Sequence, residues 1–322
     1  MTHSRAGSHL AVIVVVVAAA LATAAVSAAE SAASRQALTF AWPAPAKVAV
    51  TQDAVKKGKR ARMRFNLVTE MDPRDGSMLV GFRDYEFLEF DGMPVETAEA
   101  REALAPVLAL TSLVPSFRVA ADGALVELVG LDVEAMVQGL RRMGKADPQV
   151  EAVFDRLTKS PEMRAQIEAK AADSWSLWVG FWREQDLEEG GTRTVITRVP
   201  VLGAELDQQV VVRHLGRAEG CPGCVRLRAE ATLEGPDFRK AWMGMTRSLA
   251  GQGDHAKGLE EFLASVEDIK RTSIMETVTD PATLKPVTVT SETRVTVRAR
   301  NQPPAEQTER ATYAFAWPAP GK

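Results

Sequence analysis

The sequence predicts an α+β fold: a large curved antiparallel sheet, half-barrel-like, with helices packed on one face. Three observations predict it. Alternating apolar and polar runs fill the first and last parts of the chain, as in Arg60 to Leu67, where Ala61, Met63, Phe65 and Leu67 share one face. Helix starts cluster between those runs, at Asp132, at Asp147-Pro148 and at Ser160-Pro161-Glu162. Finally, Phe40-Ala41-Trp42-Pro43-Ala44-Pro45 recurs near the far end as Phe315-Ala316-Trp317-Pro318-Ala319-Pro320. Two copies at opposite ends predict first and last strands in similar environments, as neighbours in one sheet.

Taken in order, Leu38 to Trp42 and Lys47 to Val55 read as strands separated by Pro43 and Pro45, residues that belong at an edge or bend. Gly58 turns the chain into the Arg60 to Leu67 strand. Asp72-Pro73-Arg74-Asp75-Gly76 is a turn, and Met78 to Phe90 is one long or bulged strand ended by Asp91-Gly92. The character changes at Pro94. Glu96 to Leu113 is rich in Ala, Leu and Glu, a helix interrupted at Pro106. Phe117 to Leu131 is a hairpin about Asp122-Gly123. Helices then follow over Val133 to Met143, Val150 to Leu157 and Met163 to Trp182. After Gly190-Gly191 the strand pattern returns over Thr192 to Val201, Glu205 to Leu215 and Val225 to Leu233. Pro236 to Leu249 and Leu259 to Ile269 form a helical pair. The last strands begin at Ser273, turn at Asp280-Pro281 and end with Glu309 to Trp317.

With 46% apolar and 25% charged residues, the chain is an ordinary globular one. Met1 to Ala29 has the three parts of a secretory signal peptide: Arg5, the apolar Leu10 to Ala20, and the small-residue cleavage site Val26-Ser27-Ala28. The other reading is an uncleaved anchor, since Leu10 to Ala29 is about long enough to span a bilayer. With cleavage, residues 30–322 form one domain of net charge about −4, not membrane-spanning and periplasmic or secreted. That charge is too mild to imply nucleic acid, and no basic block elsewhere does, so no nucleic-acid partner is expected. The helical middle and the charged closing strands argue against an outer-membrane barrel.

The cysteines, Cys221 and Cys224, agree with export. Val225 to Leu233 after them alternates as a strand, so Cys-Pro-Gly-Cys reads as a disulfide at a hairpin tip rather than a redox motif at a helix start. No metal or cofactor is expected. No phosphate loop, nucleophile elbow or metal-ligand spacing occurs, and His214 and His255 are the only histidines beyond residue 29. Asp254-His255 is the most catalytic-looking pair and reads as solvated loop, as Glu188-Glu189 and Glu260-Glu261 read as exposed turns and helix faces. Arg60, Arg62 and Arg64 line the wet side of a strand, with anion binding as the alternative.

Trp175, Trp178, Phe181 and Trp182 fall on one helical stripe. Such a stripe either packs on the sheet or forms one wall of an apolar ligand cavity. An exported chain of meander, covering helices and long closing strands resembles the half-barrel carriers of the periplasm, among them the lipoprotein-localisation carrier proteins. It also resembles uncharacterised exported bacterial proteins with an Asp-Pro-x-Thr-x-x-Pro turn, here Asp280-Pro281-Ala282-Thr283-Leu284-Lys285-Pro286. The resemblance implies a curved sheet that holds acyl chains beneath a helical lid. The expectation is therefore a non-enzymatic protein binding a lipid or other apolar small molecule, with the four aromatic residues against it. The alternative is an envelope component with a solid core that binds another protein. A hydrolase has only the two histidines as visible handles. A space beneath Trp175, Trp178 and Trp182 that is filled by side chains overturns the ligand reading drawn from them.

Overall fold

The computed structural model describes residues 35–93, 95–143, 159, 161–201, 204–250 and 256–319. The expected signal segment, the Val150 to Leu157 helix, the turn at Gly203 and the Asp254-His255 pair lie outside them. The long alternating runs become strands because a half-buried pleat repays a residue of each type in turn. These strands are β2 (Ala46–Lys56), β3 (Lys59–Met71), β4 (Met78–Phe90), β5 (Ser116–Val119), β6 (Leu125–Val129), β8 (Thr192–Val201), β9 (Ala204–Arg217), β10 (Val225–Leu233), β11 (Val266–Asp280), β12 (Lys285–Ala299) and β13 (Ala305–Ala316). All eleven join one antiparallel sheet in the order β6-β5-β4-β3-β2-β13-β12-β11-β10-β9-β8. The sheet is not closed. Extra residues bulge the ladders between β3 and β4, β9 and β10, and β11 and β12, and bulges of this kind bend a sheet. Two short strands, β1 (Arg35–Ala37) and β7 (Asp186–Glu188), pair separately.

The two ends of the chain are neighbours, as their shared hexapeptide predicts: β13 pairs with β2, with Phe315 opposite Val50. The first copy is not itself a strand, however. Leu38 to Trp42 crosses the β11–β12 turn, with Thr39 and Ala41 donating their backbone N–H groups to Pro281 and Thr283. Both tryptophans of the repeat anchor there. Trp42 Nε1 donates to the Leu284 carbonyl at 3.0 Å and Trp317 Nε1 to the Pro286 carbonyl at 2.7 Å. Their rings meet edge-on with centroids 5.0 Å apart. Asp280 shapes the turn by accepting from Ala282 N–H and Thr283 Oγ1. The repeat is thus a pair of clamps on one turn.

Helix α1 (Ala98–Thr111) begins where Thr97 accepts from Ala100 N–H, and α2 (Val133–Met143) where Asp132 accepts from Ala135 N–H. Helix α3 (Pro161–Trp175) opens on a proline, whose missing N–H costs nothing at that position. It runs into a π-helical turn, Ser176–Gly180, and a 3₁₀ turn, Trp182–Glu184. Helices α4 (Pro236–Ala250) and α5 (Ala256–Ser265) form the later pair. Here one boundary differs from expectation: Val266 to Ile269 are strand, not helix. Pairing of Val266 with Ala299 and Ile269 with Val297 extends the β11–β12 ladder at the expense of the last helical turn.

The opposite, solvated face carries ion pairs. Arg60 bonds Asp53, and Arg64 bonds Glu86 at 2.6 Å, so two of the three arginines in that row already hold carboxylates. At the β3–β4 turn, Asp72 accepts from both Arg74 and Arg118, at 2.6 and 2.7 Å. These guanidinium hydrogen bonds hold its carboxyl well below the usual carboxylate range. A lowered folded pKa contributes stability that is full above the unfolded value, about 3.9, and is lost as pH falls through the folded one. Stability of Asp72→Asn should therefore fall less steeply than wild type below about pH 4 in urea titrations. Parallel acid limbs would show that this cluster is not coupled to folding.

Candidate functional site on the inner face of the sheet

The four aromatic residues of the helical stripe are all in the core: Trp175 is 1% exposed, Trp178 2%, Phe181 4% and Trp182 0%. Their faces are covered by protein. Trp175 meets Phe40, Trp42 and Phe117, with centroids 5.7, 5.2 and 5.8 Å away, and its Nε1 donates to the Gly123 carbonyl at 3.0 Å. Trp178 meets Phe82, Tyr313 and Phe315. Phe181 and Trp182 pack edge to face, and Trp182 Nε1 donates to the Leu177 carbonyl. The π turn makes this possible. Its wider winding, with Phe181 N–H bonded to the Ser176 carbonyl, changes the angular spacing from that of an α-helix. The space against the stripe is occupied by rings, so the stripe itself provides no ligand wall. Two surface clefts, of about 370 Å³ beside Arg198 and Phe238 and about 380 Å³ along β6, do not touch it.

The inner face holds two main apolar clusters with a polar gap between them. One is the aromatic cluster, which includes Val50, Phe65, Leu227, Met275 and Val289. The other lies under α4 and α5 and includes Leu206, Leu233, Phe238, Val266 and Ile269. Along β11 the inward positions run Ile269, Arg271, Ser273, Met275, and the middle two are less buried than those flanking them. Register carries the gap across the sheet. One rung runs Ala231, Ser273, Thr293, Glu309 and Lys56 over five strands. The next runs Ala229, Met275, Ser291, Ala311, Ala54 and Ala61 over six. Ser291, Ala311, Ala54 and Ala61 are partly exposed. Small side chains thus form a row, the trough, along the inner face between the two clusters.

Polar groups line its two sides. Tyr313, on β13, accepts a hydrogen bond from Gln52 at 3.3 Å, and burial, aided by the nearby Asp173 charge, pushes its hydroxyl up to about 12. Burial pushes Tyr85 up as well, with Tyr313 adding to it. From α3, Asp173 is raised by desolvation against the pull of Lys170, 2.6 Å away, and of Arg271. Arg271, largely buried, is shifted the opposite way by the same cause, while Asp173 and Glu309 attract it through space. Its Nε has no hydrogen-bond partner.

Elsewhere, Cys221 and Cys224 are disulfide-bonded at the β9–β10 tip, as their spacing predicts. The tip is also tied by Ala218 N–H to the Cys224 carbonyl. The bonded pair fits a non-cytoplasmic protein. Among the described residues no helix is long and apolar enough to cross a membrane. His214 is buried on β9, its Nδ1 accepting from Gly216 N–H. Sequence reasoning singled out aromatic residues and missed Arg271. The signal was its parity: in the Val266 to Thr279 strand it shares the face of Ile269 and Met275. No protein-family model and no curated protein matches this chain.

Proposed function

We propose that the chain is an exported, non-enzymatic protein that binds an apolar chain on the inner face of its curved sheet. The observation that carries this reading is the trough of small side chains between two apolar clusters, beneath the end of α3. Leu, Ile or Val at these positions would offer more apolar surface, at about 0.8 kcal/mol for each methylene buried, and the small residues there leave the floor free for a ligand's chain. The open eleven-stranded sheet with helices on one face supports the same reading, as does the resemblance to periplasmic half-barrel carriers. Export rests on the Met1 to Ala29 segment and agrees with the disulfide. The binding site in this proposal is the trough, displaced from the aromatic stripe that first suggested it.

The packed stripe favours a second reading, an envelope protein with a solid core that binds another protein and no ligand. Native mass spectrometry of protein from its own envelope fraction separates them. The carrier reading expects an added mass of several hundred daltons, on the order of one lipid, released by organic solvent. A bare chain mass together with a crosslinked protein partner would instead establish the second reading.

A further inference from the structure

Arg271 is the one feature of the trough that a purely apolar ligand leaves unexplained. A largely buried guanidinium is costly unless hydrogen-bonded acceptors replace its water. The two carboxylates that attract it are committed elsewhere: Asp173 bonds Lys170 at 2.6 Å, and Glu309 bonds Lys56 at 3.1 Å. Among the described residues neither lies within 4.0 Å of Arg271, and the buried Arg271 Nε stays without an acceptor. Its neighbours across the strands, Leu233 and Val295, belong to the apolar cluster under α4 and α5 and offer no acceptor. Two residues along the same face, Ser273 begins the polar gap, its Oγ 3.5 Å from Thr293 Oγ1. A guanidinium whose buried Nε lacks an acceptor thus stands two rungs along β11 from the row of small side chains, with Ser273 and Thr293 between them.

We infer that Arg271 binds the anionic oxygens of a ligand's head group, while the ligand's apolar chain lies over Ser291, Ala311, Ala54 and Ala61. The inference rests on the carrier reading above and adds to it the class of ligand: a single-chain amphiphile ending in a carboxylate or phosphate. Guanidinium and either group match as planar donors to paired oxygens. The flanking serine and threonine hydroxyls supply further donors to the same oxygens.

The test is calorimetric titration of the delipidated full chain with oleate, with the neutral oleyl alcohol and with inorganic phosphate, in wild type, Arg271→Met and Arg271→Lys. Oleate should bind wild type and bind Arg271→Met at least about tenfold more weakly, the usual worth of a charge-assisted contact, while oleyl alcohol binds both alike. Arg271→Lys keeps the charge without the fork, so it should weaken oleate by a smaller factor; it also serves if the methionine variant does not fold. Equal oleate binding by wild type and the folded variants overturns the head-group assignment and leaves the carrier reading standing. Failure of wild type to bind either oleate or the alcohol overturns both. Arg271-dependent binding of phosphate without oleate identifies a free-anion site and overturns the amphiphile.

Discussion

Replacing Trp175 by alanine should destabilise the protein by about 5 kcal/mol, comparable to the whole stability of many domains. Two terms add. Removing a buried indole leaves a cavity that costs about 3–5 kcal/mol, and the rings of Phe40, Trp42 and Phe117 that pack on it come from two separate segments. The Gly123 carbonyl also loses its donor, at about 1 kcal/mol or more. Trp175→Phe keeps most of the ring contact and loses the hydrogen bond, so about 1–2 kcal/mol is expected. Val126→Ala, at an exposed position, should stay within about 0.5 kcal/mol of wild type. Urea unfolding of the three variants provides the comparison. A loss below about 1.5 kcal/mol for Trp175→Ala would mean that the stripe borders open space, and would return it to the ligand site.

That experiment bears on what the sequence revealed. Alternation located the long strands well: β4 and β8 begin and end where their patterns do. Capping by Asp132 located the start of α2, and a proline placed the start of α3 within two residues. The failures are places where long-range pairing decides. Leu38 to Trp42 has the composition of a strand, but its N–H groups go to a turn more than two hundred residues away. Val266 to Ile269 continues a helical pattern until the ladder with β12 claims it. The three-residue β1 and β7 are too short to show a period. No local signal could have found them.

The site was less legible than the fold. Aromatic residues at helical spacing look alike whether they line a cavity or fill a core, and the difference lies in Phe40, Trp42, Phe117 and Tyr313, brought from distant strands and loops. Volume, not identity, marks the trough. Ala54, Ala61, Ala311 and Ser291 are unremarkable one by one, and only the register of four strands sets them in a row. Arg271 was the exception, a charged residue at an inward position of its strand.

Gly123→Ala should cost about 3 kcal/mol, from two causes that can be separated. Gly123 turns the β5–β6 hairpin at φ +84°, in the left-handed region, where a side chain costs about 1–2 kcal/mol. A Cβ there would also lie 2.7 Å from the Phe40 ring, a contact that requires a shift of a residue itself packed on Trp42 and Trp175. Because Gly123 presents its carbonyl to Trp175 Nε1, any shift of the turn also lengthens that hydrogen bond. In a Phe40→Ala background the clash disappears and only the backbone term remains. The cost of Gly123→Ala should then drop to about 1–2 kcal/mol, giving a coupling of 1 kcal/mol or more in the double-mutant cycle, on the order expected for residues in contact. If the two substitutions add without coupling, Phe40 does not press on the turn. The N-terminal segment would then not be seated between the hairpin and the tryptophans, and other side chains would have to hold the Trp175 ring.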